Sequence, residues 1–121
     1  MAYNERLAER VRTALSARDG VSERRMFGGL AFLIDGNMCV GVMNDDLMVR
    51  TTAEGYEDAL KRAGARPMDF TGRVSRTMVY VAPGATSSAA DLRRWVEIGV
   101  AAANAAPMKT RRVGATAKRR A

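Results

Sequence analysis

The chain has 121 residues, one cysteine, no histidine and a net charge of +7. That length suits one domain able to bury a core without disulfides or metal, and the 47% apolar content excludes a disordered chain. No apolar run reaches the roughly 18 residues that span a bilayer, Met1 to Arg12 shows no signal-peptide core, and the lone Cys39 excludes an intramolecular disulfide, so a cytoplasmic protein with no membrane insertion is expected.

Asn4 is a good helix cap. Leu7, Ala8, Val11, Ala14 and Leu15 then recur at helical spacing, which predicts a first helix over roughly Glu5 to Arg18, stopped by Gly20. From Val21 the pattern changes to strand and turn. Leu30 to Ile34, Met38 to Met43 and Leu47 to Thr51 are apolar runs separated by Asp35-Gly36-Asn37 and Asn44-Asp45-Asp46. Asp-Gly between such runs is a hairpin signal, because Gly supplies the positive φ the turn needs. This predicts a meander of three strands, with a fourth if Ser22 to Phe27 pairs as well. Thr52 can cap a second helix carrying Tyr56, Ala59, Leu60 and Ala63, which Gly64 ends. Pro67 prevents its resumption, and Phe70 to Gly72 leads into a turn. Arg76 to Ala82 is the last strand, and Pro83-Gly84 breaks it. Ser87 or Ser88 caps a third helix whose stripe is Leu92, Trp95, Val96, Gly99, Val100 and Ala103, and Pro107 marks its end. Gly99 costs up to ~1 kcal/mol against Ala in a helix interior, which suggests close packing against a neighbour.

The order helix, meander, helix, strand, helix predicts an α+β fold. Its antiparallel sheet has four to five strands, the meander plus one later strand, packed with three helices. Residues 1–106 form the domain and 107–121 a basic tail. The strands do not alternate cleanly: Leu30 to Ile34 and Met38 to Met43 are apolar on both faces. A half-exposed antiparallel sheet alternates, so the second face needs a cover, from a helix, a second subunit or a protein partner.

Little in the sequence assembles a reactive centre. Without histidine the commonest general base and metal ligand are missing, and no metal or cofactor is expected. Cys39 lies mid-strand among apolar residues and reads as a small buried hydrophobe. Asp35, Asp45 and Asp46 fall at turns, where aspartate bonds its own backbone. Gly28-Gly29 follows Arg24-Arg25, but a strand rather than a helix comes next, so close backbone approach explains the glycines better than a phosphate loop. Met26, Met38, Met43, Met48, Met68 and Met78 lie in or beside the sheet and fill a core poor in aromatics.

The basic signal belongs to the tail. Lys109, Arg111, Arg112, Lys118, Arg119 and Arg120 follow Pro107 with no acid among them, which leaves the body nearly neutral. Such a run attracts nucleic-acid phosphate with steep salt dependence. It lacks interleaved aromatics for stacking on bases.

Arg25-Met26-Phe27-Gly28-Gly29-Leu30-Ala31-Phe32, continued by Asp35-Gly36, Met38, Gly41-Val42, Leu47 and Arg50, resembles the amino-terminal domain of the TfoX/Sxy family. The likeness extends through Pro67-Met68, Phe70, Gly72-Arg73 and Tyr80-Val81. The resemblance implies a compact α+β domain with an antiparallel sheet, without catalytic residues. It also implies a regulatory role, since full-length members act in natural competence beside the cyclic-AMP receptor protein at promoters. Those members carry a second, helical domain, whereas this chain reads as the stand-alone amino-terminal domain. The expected function is a non-catalytic regulatory or adaptor domain, contacting a protein partner or another copy through the sheet face and nucleic acid weakly through the tail. The alternative is an effector-binding domain with a pocket between sheet and helices, lined by Met and Phe. An enzyme using Asp35, Asp45 or Asp46 with Arg25 or Arg50 is the weakest reading, because no base, nucleophile and oxyanion donor come together.

Overall fold

The Asn4 side chain accepts the Leu7 N–H at 3.0 Å and opens α1, Glu5–Ala14. A computed structural model describes residues 3–26, 28–70 and 73–106. The first helix is shorter than its apolar stripe predicts. After Ala14 the bonds Ser16 N–H to Thr13 O and Arg18 N–H to Leu15 O tighten the chain into i→i+3 turns, a common way to satisfy a helix end.

The meander has four strands: β1 (Val21–Met26), β2 (Gly29–Ile34), β3 (Asn37–Met43) and β4 (Asp46–Arg50). The β2–β3 turn is the expected Asp-Gly hairpin, with Asp35 at φ 52 and Gly36 at φ 83. The Thr52 hydroxyl accepts the Gly55 N–H at 3.0 Å, so it closes a local turn rather than capping the helix. The second helix, α2, begins only at Tyr56 and spans Tyr56–Leu60.

Two strands follow α2 where the sequence pattern predicts one: β5 (Ala65–Phe70) and β6 (Arg73–Val81). The sheet therefore has six strands among the described residues, all antiparallel, in the order β1-β2-β3-β4-β6-β5. Pro67 hides β5 in the sequence because proline cannot donate to a ladder. β5 is an edge strand, and its register shifts beside Pro67, two settings in which proline is tolerated. A 3-10 turn at Pro83–Thr86 leads to α3, Ala89–Ala105, whose N-cap Ser88 accepts the Asp91 N–H at 3.0 Å.

The three helices bury their apolar sides in one core against Leu30, Phe32 and Ile34 of β2, Val40 and Val42 of β3, Leu47 and Val49 of β4, and Val79 and Val81 of β6. The β2–β3 register passes from Phe32↔Val40 to Leu33↔Met38 and skips Cys39. This bulge brings Cys39 into the core beside Val40 and leaves Met38 on the opposite face.

Candidate functional site

The opposite face of the sheet follows from the register. Ala31, Gly41, Met48, Tyr80 and Arg66 are successive cross-strand neighbours, with Met38, Met43 and Met78 on the adjoining rows. Ala31, Leu33, Met48 and Met68 are buried, yet none belongs to the helix-side core. Met38, Met43, Met78 and Tyr80 are half-buried. Gly41 lies beneath the terminal methyls of Met48 and Met38, which rest over the space a Cβ would fill. The Tyr80 hydroxyl reaches the Met43 sulfur at 3.5 Å, and Arg66 lies over the Tyr80 ring at 4.8 Å while pairing with Asp46 at 2.7 Å. The sequence shows these strands as apolar on both faces, and the structure shows the reason: one face packs the helices and the other carries a methionine layer.

Of the Arg25–Gly29 motif, Arg25 and Met26 close β1 and Gly29 opens β2. Met26 pairs with Gly29, and Gly28 sits at φ 78. A Cβ at Gly29 would overlap the Val42 carbonyl oxygen, so the glycine permits close backbone approach. Phe27 lies outside the described residues. Arg24 and Arg25 are exposed on the edge strand β1, and among the described residues neither side chain makes a hydrogen bond or ion pair.

Asp35 is kept apart from the neighbouring Asp45 and Asp46. Asp35 sits in the β2–β3 turn and Asp45 in the β3–β4 turn, at opposite ends of β3. Asp45 accepts from the Asn4 side-chain amide at 3.0 Å, and Asp46 is held by Arg66. Arg50 donates to the Met38 carbonyl at 3.4 Å. Cys39 is fully buried, and burial pushes its thiol up to about 12, against a smaller opposing effect of Arg18. Among the described residues no group of three or more His, Cys, Asp or Glu side chains could hold a metal ion, and no helix is long and apolar enough to cross a membrane. The tail residues Lys109, Arg111, Arg112, Lys118, Arg119 and Arg120 lie outside the described residues.

Three surface clefts on the helix side bear on the expectation of a pocket lined by Met and Phe. One lies between α3 and the turn that follows α2, one between α1 and α3, and one beside the Asp35 turn, and none of the three is lined by Met or Phe. The sequence pattern gives no hint of the first. Its main residues, Arg62 and Trp95, come from different parts of the chain, and no spacing signal joins them.

A family model, the TfoX N-terminal domain, matches residues 13–103. The chain belongs to the TfoX N-terminal domain family. No curated protein and no solved structure matches it. The span of the TfoX N-terminal domain runs from within α1 to within α3, so it takes in all six strands and the methionine layer.

Proposed function

We propose that this TfoX N-terminal domain is a non-catalytic regulatory or adaptor module of the cytoplasm. It acts by protein–protein contact through the methionine-bearing sheet face, as a self-associating chain or with a protein partner. The basic tail adds weak, sequence-independent contact to nucleic acid. The observation that carries this reading is the layer of Met38, Met43, Met78 and Tyr80, half-buried around buried Met48 on the sheet face turned away from the helix-side core. Flexible thioether side chains repack against varied surfaces, which suits a docking face. The separation of Asp35 from Asp45 and Asp46 and the buried Cys39 support a role without catalysis.

Light scattering at several concentrations tests the face. Association that disappears in a Met38→Asp, Met78→Asp double variant supports the contact between copies. Equal masses for variant and parent at every concentration remove self-association, and equal retention of any purified partner by both forms removes the face altogether. The tail is tested by truncation after Ala106. Duplex DNA affinity should fall, and the salt slope should flatten by up to about five, given roughly 0.9 for each phosphate that a tail cation neutralises. Equal DNA retention by both forms at low salt counts against the tail.

A further inference from the structure

The cleft between α3 and the turn that follows α2 combines charge with apolar walls in a way that neither the fold nor the protein-contact reading uses. Its volume is about 410 Å³, within the roughly 300–1,000 Å³ of small-molecule sites. Trp95 forms the floor, only 4% exposed, and Ala85 and Ile98 contribute the walls. Arg62 enters from the turn that follows α2, with its guanidinium 5.8 Å from the centre of the Trp95 ring. Among the described residues the Arg62 side chain makes no hydrogen bond or ion pair. A guanidinium held against an aromatic ring keeps its N–H fork available, and that fork matches a carboxylate. Arg94 lines the same cleft from α3. Among the described residues its acid partner is Asp91 at 3.2 Å, within one helical turn, and both side chains are largely exposed at 64% and 44%. Such a pair is readily exchanged for a ligand carboxylate.

We propose that this cleft binds a small organic monoanion, a carboxylate on an apolar body, with Arg62 and Arg94 holding the charged group and the Trp95 side of the cleft receiving the apolar part. The charge of the lining selects one negative charge. Two guanidinium groups and one carboxylate leave a single excess positive charge, which a monocarboxylate balances and a polyphosphate over-fills. The alkyl and indole walls add contact that a bare anion cannot use.

The test uses the single tryptophan of the chain, which is Trp95 itself. Its emission is followed during titration of the whole chain with benzoate, with acetate and inorganic phosphate at matched ionic strength as comparison probes. Benzoate should give a saturable change that acetate and phosphate do not reproduce. Arg62→Gln and Arg94→Gln should each weaken it by about tenfold or more, as expected for loss of a hydrogen bond to a charged group. Arg93→Gln should leave it unchanged, because Arg93 lines the other cleft, between α1 and α3. A flat response to benzoate overturns the proposal, and so do equal curves for the parent and both glutamine variants. A saturable response to phosphate that exceeds that to benzoate overturns the assigned ligand class. The titration needs no partner and no tail, so its failure leaves the sheet-face reading untouched, and failure of that reading leaves the cleft untouched.

Discussion

Gly99 of α3 lies against the carbonyl oxygen of Cys39 on β3, so close that a Cβ at Gly99 would overlap that oxygen and crowd Val40. Helix and sheet meet here at backbone contact. The glycine that weakens α3 as an isolated helix is the residue that lets α3 seat on the sheet.

Gly99→Ala therefore has two opposed effects. Helix propensity gains up to ~1 kcal/mol. Against that, overpacking costs typically ~1–3 kcal/mol, and here the obstacle is backbone, which cannot rotate away as a side chain can. The expected result is net destabilisation, read as a lower urea midpoint at unchanged slope. A midpoint at or above that of the parent would show that the helix shifts freely on β3.

Cys39 should be inert in the native protein. Burial holds its thiol at about 12 against an ordinary 9.0, so thiolate is scarce at neutral pH. A thiol reagent such as DTNB should label the native chain negligibly and the denatured chain fully. The same shift has a pH consequence. The folded state keeps a proton that the unfolded state loses above about 9, so stability should fall as pH rises from about 9 towards 12. Comparison with Cys39→Ala isolates this component, because the variant should lack that part of the decline.

Arg12 pins α1 to the edge strand β1. Its Nε and Nη2 donate to the two Glu23 carboxylate oxygens at 2.5 and 2.8 Å, and it lies over the Phe32 ring at 5.8 Å. The hydrogen bonds from Arg12 hold the Glu23 carboxyl below its ordinary 4.5, despite an opposing effect of burial. A lowered carboxyl stabilises the fold above its unfolded value, and that contribution is lost as pH falls through the folded one. Both side chains are more than a third exposed, 41% and 35%, so Glu23→Gln should cost no more than about 1 kcal/mol at neutral pH. The difference should shrink in high salt and vanish at strongly acidic pH. A difference that persists unchanged in acid would mean that the carboxylate charge is not its source.

Arg10 ties α1 to the start of α3. Its Nη2 donates to the Thr86 carbonyl at 2.7 Å and reaches the Ser87 and Ser88 carbonyls at 3.3 and 3.4 Å. Arg10→Ala should destabilise by about 1–2 kcal/mol, less than a fully buried charged hydrogen bond because the site is partly wet. Hydrogen exchange should quicken at the first turn of α3. Unchanged exchange there would show that Ser88 alone holds the cap.

What could be read along the chain is what short-range chemistry controls. Asn4 and Ser88 cap their helices because a side chain and an N–H three residues on suffice, and Asp35-Gly36 turns because its own backbone requires positive φ. The apolar stripes of α1 and α3 mark their buried sides for the same reason. The resemblance carried by Arg25–Gly29 and the runs after it was legible too, and the family match over residues 13–103 bears it out. The edge strand β5, the bulge that turns Cys39 inward, the division of the two-sided strands into a helix face and a methionine face, and the meeting of Arg62 with Trp95 were not legible. Each depends on partners distant in sequence. Pro67 can lie in a strand only because β6 is beside it, and Gly99 has a reason only because Cys39 lies beneath it.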